Sequence, residues 1–342
     1  ILLVLGVLAI TGIYNRLGID YRTWRIYIII AAVIAVIVFV IGATAFFPYK
    51  RKGNNLFKKN GMVIALKYRQ QGQKIKWRKE AETVQYDFDQ VIDRSGNHAA
   101  KYDERVKKFG TDDVIPLWIA DMDFRTAQPV IDALKARAEE GIWGYTARPA
   151  SYFEAVKNWQ KRRNGWDTDT ALMSFSPGVV QTLSVMIRLY TPQNGNVLIQ
   201  TPVYGEFYDM TELAGRHVIE NQLVEQGGAW TVDWADFEEK LRSADIFLLC
   251  NPHNPLGIVW TEEELRRMME LCLKHHVLVV SDEIHSDLIF HGKCHIPTAS
   301  LSPEIAANVV TGISATKTFN LAGLQASTAV FPNAHMKAMF DK

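Results

Sequence analysis

Two hydrophobic patterns alternate along the chain from residue 86 onward. Short apolar runs, which predict buried strands, are separated by longer segments with apolar residues every three or four positions, which predict amphipathic helices. Strands are predicted over residues 197–200, 245–250, 277–281, 308–312 and 327–331, and helices over residues 179–190, 233–242 and 262–276. This alternation indicates an α/β fold with a largely parallel sheet and helices on both faces.

Two helix starts carry the spacing of a capping box. In that motif a hydroxyl side chain accepts the amide hydrogen of the third helical residue, and a glutamate there bonds back. Ser151 with Glu154, and Thr261 with Glu264, have this spacing. We therefore expect helices to begin at Ser151 and Thr261.

The beginning of the chain is patterned differently. Residues 26–47 form an unbroken apolar run that is long enough to cross a hydrocarbon core of about 30 Å. Residues 1–14 are also apolar and resemble the end of a preceding span, so residues 1–49 predict a transmembrane hairpin. This segment indicates either a fusion of an anchor to the following domain or the merging of an upstream reading frame with it.

Residues 50–85 predict a basic linker, since no acidic residue occurs between Lys50 and Glu80. Basic residues next to a span mark its cytoplasmic side, which places the remainder of the chain in the cytoplasm. The linker is expected either to contact anionic lipid or to remain solvated.

Composition narrows the function classes. The formal net charge of the 342 residues is +1, so the basic linker is balanced elsewhere and a nucleic-acid partner is not expected. The three cysteines lack metal or disulfide spacing, which is typical of a protein in a reducing compartment. No histidine pair has zinc-site spacing, and we predict no metal.

The candidate chemistry begins with a lysine and a carboxylate. Lys317 lies within residues 314–320, and Asp282 follows the predicted strand 277–281. A lysine amine can hold pyridoxal 5'-phosphate covalently, and a carboxylate can keep its ring nitrogen protonated so that the ring accepts an electron pair. The pair predicts carbanion chemistry on an amino acid, with Lys317 and Asp282 as catalytic residues.

Further runs occur in order around this pair. They are WIADMDF at 118–124, WGYT at 143–146, SPGVV at 176–180, TPVY at 201–204, NPHNPLG at 251–257, DEIH at 282–285 and the lysine run SATKTFN at 314–320. From Tyr86 onward the chain resembles the class I/II aminotransferases, most closely their cystathionine β-lyase-like (MalY/PatB) branch. The resemblance implies the large domain of fold type I pyridoxal-phosphate enzymes, with residues 86–124 as an N-terminal arm and 125–342 as the cofactor-binding domain.

The resemblance implies how the cofactor phosphate is held. Gly178 opens the predicted helix 179–190, where the amides of Val179 and Val180 can receive an anion. Ser314 is implied as a hydroxyl donor to the same phosphate. Tyr145 resembles a tyrosine that reaches the cofactor of a partner subunit, which implies a homodimer.

The resemblance also implies the ring contacts. Tyr204 corresponds to an aromatic residue stacked on the pyridine face, and Asn254 to an asparagine that hydrogen-bonds the ring oxygen. His285 stands where many aminotransferases carry tyrosine, and the lyase branch carries histidine. This position favours a lyase over a transaminase.

Two departures accompany the resemblance. Gln325 stands eight residues after Lys317, where aspartate-type aminotransferases place a phosphate-binding arginine. The sequence ends at Lys342, before the small C-terminal domain that carries the substrate-carboxylate arginine in the family. We therefore expect a fragment in which that domain is largely missing.

Three functions remain open at this point. The leading hypothesis is a carbon–sulfur β-lyase that cleaves cystathionine or cysteine S-conjugates to a thiol, pyruvate and ammonia. The alternatives are an aminotransferase that uses the same lysine and aspartate, and an inactive, membrane-tethered module that binds pyridoxal 5'-phosphate.

Overall fold

The computed structural model describes residues 86–342. The predicted transmembrane hairpin over residues 1–49 and the basic linker over residues 50–85 lie outside the described residues. Within residues 86–342, none of the helices combines the length and the apolar character that a bilayer span requires.

A seven-stranded sheet forms the centre of the described domain. Its strands are β1 (Met173–Ser176), β2 (Asn196–Thr201), β3 (His217–Gln222), β6 (Ile246–Cys250), β7 (Leu278–Asp282), β8 (Val309–Ile313) and β9 (Ser327–Val330). Their spatial order is β1-β9-β8-β7-β6-β2-β3. Strand β9 is antiparallel to both of its neighbours, and the other adjacent pairs are parallel. A separate hairpin is formed by β4 (Val224–Gln226) and β5 (Ala229–Thr231).

Helices cover the sheet and precede it. Before the sheet lie α1 (Ala100–Asp103), α2 (Arg105–Phe109), α3 (Gln128–Glu139) and α4 (Ala150–Asn164). The helices between and after the strands are α5 (Val179–Tyr190), α6 (Glu206–Leu213), α7 (Trp234–Leu241), α8 (Glu262–Lys274), α9 (Pro303–Ala306), α10 (Ala315–Thr318) and α11 (Ala334–Phe340).

The core lies on both faces of the sheet, as the two-residue period of a strand requires. Leu198 of β2 packs with Phe237 of α7 and Leu265 of α8 in one buried cluster. Its neighbours Val197 and Ile199 belong to a second cluster, which contains residues of α5 and α6. Because alternate side chains are buried on opposite faces, the strand reads as a continuous apolar run in the sequence.

The five predicted strands are confirmed to within one or two residues at each end, and the predicted helix over residues 179–190 matches α5. The pattern missed β1, β3 and the β4–β5 hairpin. Strand β3 is an edge strand with exposed His217, Glu220 and Gln222, so it lacks the apolar run of a buried strand. Strand β1 is only four residues long.

One of the two predicted capping boxes is present. The Thr261 hydroxyl accepts the Glu264 amide at 3.2 Å, and the Glu264 carboxylate accepts the Thr261 amide at 2.9 Å. The prediction at Ser151 was wrong. Helix α4 begins at Ala150 with Pro149 in extended conformation as its N-cap, so Ser151 lies inside the first turn. No side-chain hydrogen bond caps this helix start.

These two hydroxyl residues form a matched pair for measuring the cap. We expect Thr261→Ala to lower the free energy of unfolding by about 1 kcal/mol, because it orphans the Glu264 amide. Ser151→Ala should change that free energy by less than about 0.5 kcal/mol. Urea denaturation of both variants measures the difference, and equal losses would contradict the assignment.

The parallel strands bring distant parts of the sequence together. The segments that follow β1, β2, β6, β7 and β8 all leave the same edge of the sheet, because these strands run in one direction. Open α/β sheets bind ligands at this edge.

Candidate active site

A cavity of about 820 Å³ opens at the carboxyl edge of the sheet. It brings together eight of the predicted site residues: Gly178, Val179, Val180, Tyr204, Asn254, Asp282, His285 and Lys317. These residues are spread over five connecting segments in the sequence, so the sheet topology is what assembles them. Gln325, which stands where aspartate-type aminotransferases place a phosphate-binding arginine, also lines this cavity.

One wall of the cavity is the start of helix α5. Gln181 and Thr182 donate the first amide hydrogen bonds of this helix, both to the carbonyl of Gly178, which leaves the amides of Val179 and Val180 without a partner inside the helix. A Cβ atom at Gly178 would meet no protein atom within 4 Å. The helix therefore presents two amides and the positive end of its dipole to open space, as an anion site requires.

A close contact fixes this helix start against the sheet. A Cβ atom on Gly312 of β8 would lie 2.6 Å from Cγ1 of Val179. Only a glycine permits this approach, because that distance is shorter than any ordinary carbon–carbon contact. Helix α5 and the end of β8, which leads to Lys317, are thus held at minimal separation.

Asp282 is a buried carboxylate at the end of β7. Only 6% of its surface is exposed. Burial raises its pKa from 3.8 to about 6, and the neighbouring Glu283 adds to the rise, while the Ile284 amide at 3.0 Å and the Lys317 amine oppose it. A carboxylate in this setting favours a cationic partner in the cavity.

Glu283 is held beneath the cavity by a buried polar network. Its carboxylate accepts the Ser281 hydroxyl at 3.0 Å, the Thr298 amide at 2.9 Å and Nε2 of His295 at 2.9 Å. The Glu283 and His295 side chains are 0% and 1% exposed. The carboxylate of Glu283 is thus hydrogen-bonded within the protein, whereas that of Asp282 lines the cavity.

Lys317 faces Asp282 across the cavity. The residue lies in the short helix α10, and its Nζ donates to the carbonyl of Ala120 at 3.1 Å. Burial lowers the pKa of this amine, whereas the charges of Asp121 and Asp282 act in the opposite direction. The net lowering increases the fraction of neutral amine at neutral pH, which is the form that acts as a nucleophile or base.

The other predicted residues of the cavity, Tyr204, Asn254 and His285, come from three loops. The amide of Tyr204 donates to the carbonyl of Asn254 at 3.1 Å, which ties the loops after β2 and β6 together. Burial raises the pKa of Tyr204, with Glu206 and then Asp282 contributing, so its phenol stays protonated. Burial lowers the pKa of His285, and the Lys317 charge lowers it further, which favours a neutral imidazole.

Two predicted residues do not line the cavity. The Ser314 hydroxyl donates to the carbonyl of Ala326 at 2.7 Å and accepts the Thr316 amide, so it caps α10 away from the cavity. Thr316 lines the cavity in its place. Tyr145 is fully exposed, and the predicted reach of this tyrosine into a partner subunit stays a prediction. The roles assigned to the other predicted residues are likewise predictions that their positions permit.

No role was predicted from the sequence for residues 117–124, the segment that contacts Lys317. Residues 117–120 line the cavity opposite the sheet. Asn320 binds this segment, since its side chain accepts the Met122 amide at 3.0 Å and donates to the carbonyls of Met122 and Phe124 at 2.9 and 2.8 Å. The sequence signal for this contact was Asn320, three residues after Lys317, but the residues that it binds lie almost 200 positions earlier.

The fold and the cavity define an α/β protein with a lysine and a carboxylate at the carboxyl edge of a mixed, mostly parallel sheet. The family model described as aminotransferase class I and II matches residues 112–339. The chain belongs to this family.

Individual relatives refine the comparison. The chain is 45% identical over 256 residues to cystathionine β-lyase PatB of Bacillus subtilis and 34% identical over 252 residues to protein MalY of Escherichia coli. These matches cover 74% and 73% of the chain, and the chain spans 66% and 64% of the two relatives.

Solved structures agree with these relatives. Cystalysin from Treponema denticola, which contains pyridoxal 5'-phosphate, superposes with a TM-score of 0.72 at 33% identity. The pyridoxal-phosphate-bound C-S lyase of Staphylococcus hominis gives 0.71 at 31% identity. The matches cover 75% and 76% of the chain and 66% of each of those structures.

Proposed function

We propose that the protein is a pyridoxal-phosphate-dependent carbon–sulfur β-lyase that acts on cystathionine and cysteine S-conjugates. With water, such a substrate yields a thiol, pyruvate and ammonia. The observation that carries the proposal is the placement of Lys317, Asp282 and His285 around one cavity in a chain similar to PatB, MalY and the Staphylococcus hominis C-S lyase.

The residues of the cavity fit the cofactor. Gly178 leaves open space at two unpartnered helix amides, which suits a phosphate. The raised pKa of Asp282 marks a buried carboxylate that is stabilised by a protonated ring nitrogen. We assign the ring face to Tyr204 and the ring oxygen to Asn254, and the aldehyde carbon to the Lys317 amine.

When bound, pyridoxal 5'-phosphate supplies an electron sink that stabilises negative charge at the substrate Cα. Once the substrate amino group has taken its place on the cofactor, the freed Lys317 amine would remove the Cα proton, because burial lowers its pKa. Loss of that proton would allow the Cβ–S bond to break, with the sulfur leaving as a thiolate. The released 2-aminoacrylate takes up water to give pyruvate and ammonia.

Asp282 and His285 set the charge of the cavity during this reaction. Asp282 provides the negative charge that holds a cationic ring nitrogen in place. His285, with its pKa lowered by burial, stays neutral and adds no positive charge beside Lys317.

The expected result of incubating the protein and pyridoxal 5'-phosphate with cystathionine is release of pyruvate without any added keto acid. Lactate dehydrogenase and NADH measure the pyruvate, and a thiol reagent measures the homocysteine in equal amount. Alanine serves as the matched control substrate, because it lacks a leaving group on Cβ.

Two outcomes would contradict the proposal. Turnover only with an added keto acid, and without thiol release, would identify an aminotransferase. Cofactor absorbance without turnover of any sulfur substrate would identify an inactive binding module.

A further inference from the structure

We propose that four charged residues, Arg94, Lys101, Asp121 and Asp123, act as positioning residues for Lys317 by fixing the segment 118–124 over its amine. This inference rests on the proposed function, because it concerns the amine to which that function assigns the cofactor. It adds residues from the N-terminal arm to a site otherwise built from the sheet edge. We call residues 118–124 the strap.

The two cations grip the strap in the same way. Arg94 donates to Asp121 and to Asp123, each at 2.8 Å, and also to the carbonyl of Met122 at 3.2 Å. Lys101 donates to Asp123 and to the carbonyl of Asp121, each at 3.0 Å. Each cation thus joins side chains and backbone, which fixes the course of the strap and not only its side chains.

The burial of this cluster explains why its charges are matched. The Lys101 side chain is 4% exposed and that of Asp121 is 19% exposed. Burial alone would raise the pKa of Asp121, but the hydrogen bond from Arg94 and the charges of both cations outweigh it and the pKa is lowered. Removal of one member leaves a partly buried charge without its partner, which is strongly unfavourable.

The strap is tied to Lys317 at two points. The carbonyl of Ala120 accepts from the Lys317 amine at 3.1 Å, and Asn320 holds Met122 and Phe124 on the other side of the same lysine turn. Ala120 is the residue directly before Asp121, so the cluster controls the position of that carbonyl. The Asp121 charge also acts on the pKa of Lys317.

Positioning is distinct from general stabilisation in what it changes at the lysine. An anchored strap keeps an acceptor and a negative charge beside the amine. A loosened strap removes both and uncovers the amine, so the amine becomes more accessible. Reaction of Lys317 with an amine reagent therefore reports the strap directly, and it does so in protein without cofactor.

The test uses Asp123→Asn, which keeps the shape of the side chain and removes its charge. We expect backbone amides 118–124 to exchange hydrogen about tenfold faster. We also expect Lys317 to be acetylated by acetic anhydride about fivefold faster at pH 8, because the strap no longer covers the amine. Mass spectrometry of the peptides measures both, without any turnover assay.

Three comparisons make the result specific. Asp123→Glu retains the charge and should restore slow labelling of Lys317. Asp167→Asn breaks an exposed ion pair with Lys161 and should change neither measurement. If Asp123→Asn fails to fold, Arg94→Gln provides a second variant, which removes a positive charge from the cluster and keeps hydrogen-bonding capacity.

Unchanged exchange and labelling in a folded Asp123→Asn or Arg94→Gln protein would overturn the inference. Faster exchange of the strap with an unchanged rate of Lys317 labelling would also overturn it, because the cluster would then be structural only. Failure of the lyase assay with the expected labelling result would reject the proposed function and leave the positioning role intact.

Discussion

Replacing Lys317 by alanine is expected to abolish covalent binding of pyridoxal 5'-phosphate. Borohydride treatment should leave no stable cofactor adduct on the protein, whereas the unmodified chain should carry one on the peptide that contains Lys317. Turnover should fall by about 10³-fold or more, because both the attachment amine and the base are removed. Absorbance spectra, peptide mapping and the pyruvate assay measure these effects.

Lys274→Ala provides the control for this substitution. Lys274 is an exposed lysine that pairs with Glu238, and it does not line the candidate cavity. This variant should retain the reducible adduct and its activity. A Lys317→Ala protein that remained yellow and formed the same stable adduct at the same site would refute the assignment of the lysine, and the proposed function with it.

Replacing Asp282 by asparagine is expected to have opposite effects on function and stability. Asparagine keeps an oxygen that can accept the Ile284 amide, but it cannot hold a cationic ring nitrogen. We expect the turnover number to fall by about 10²-fold to 10⁴-fold. In the absence of cofactor, the same variant should be more stable than the unmodified chain at neutral pH.

The sign of the stability effect follows from the raised pKa. The carboxyl group titrates near 3.8 in the unfolded chain and at about 6 in the native state. Well below pH 3.8 the carboxyl group is protonated in both states, so the charge has no effect. As the pH rises from 3.8 to 6, the unfolded chain ionises before the native state does, and above pH 6 the native state is destabilised by about 2–3 kcal/mol.

Urea denaturation at pH 4 and pH 7.5 measures this difference. The asparagine variant should lie within about 0.5 kcal/mol of the unmodified chain at pH 4 and exceed it by about 2–3 kcal/mol at pH 7.5. Asp167→Asn is the control, since the pKa of that exposed carboxyl is lowered by Lys161 and its removal should give no gain. Equal stability of the asparagine variant and the unmodified chain at both pH values would contradict the buried charge.

The sequence predicted the centre of the candidate site because the chemistry and the strand pattern agree there. Asp282 and Asn254 follow buried apolar runs, and runs of that kind specify strands whose ends meet at one edge. Lys317 follows another such run. Local signals therefore sufficed to bring these three residues together.

Other features depend on contacts that no local pattern encodes. The capping box at Ser151 failed because the helix begins one residue earlier, so the serine is not at the N-cap. The phosphate role of Ser314 stays a prediction, and in the structure its hydroxyl donates to the carbonyl of Ala326. Arg94 and Lys101 look like ordinary surface charges in the sequence, and only the fold brings them to Asp121 and Asp123.

The contact between Gly312 and Val179 fixes the distance between two parts of the candidate site, the start of α5 and the end of β8. The start of α5 and the strand that leads to Lys317 meet through the Val179 side chain, and position 312 contributes no side chain of its own. Any residue larger than glycine at position 312 would push α5 away from β8 and increase the distance between the helix amides and Lys317. The absence of a side chain at position 312 therefore determines how far apart the anionic group and the electrophilic carbon of a ligand would have to be.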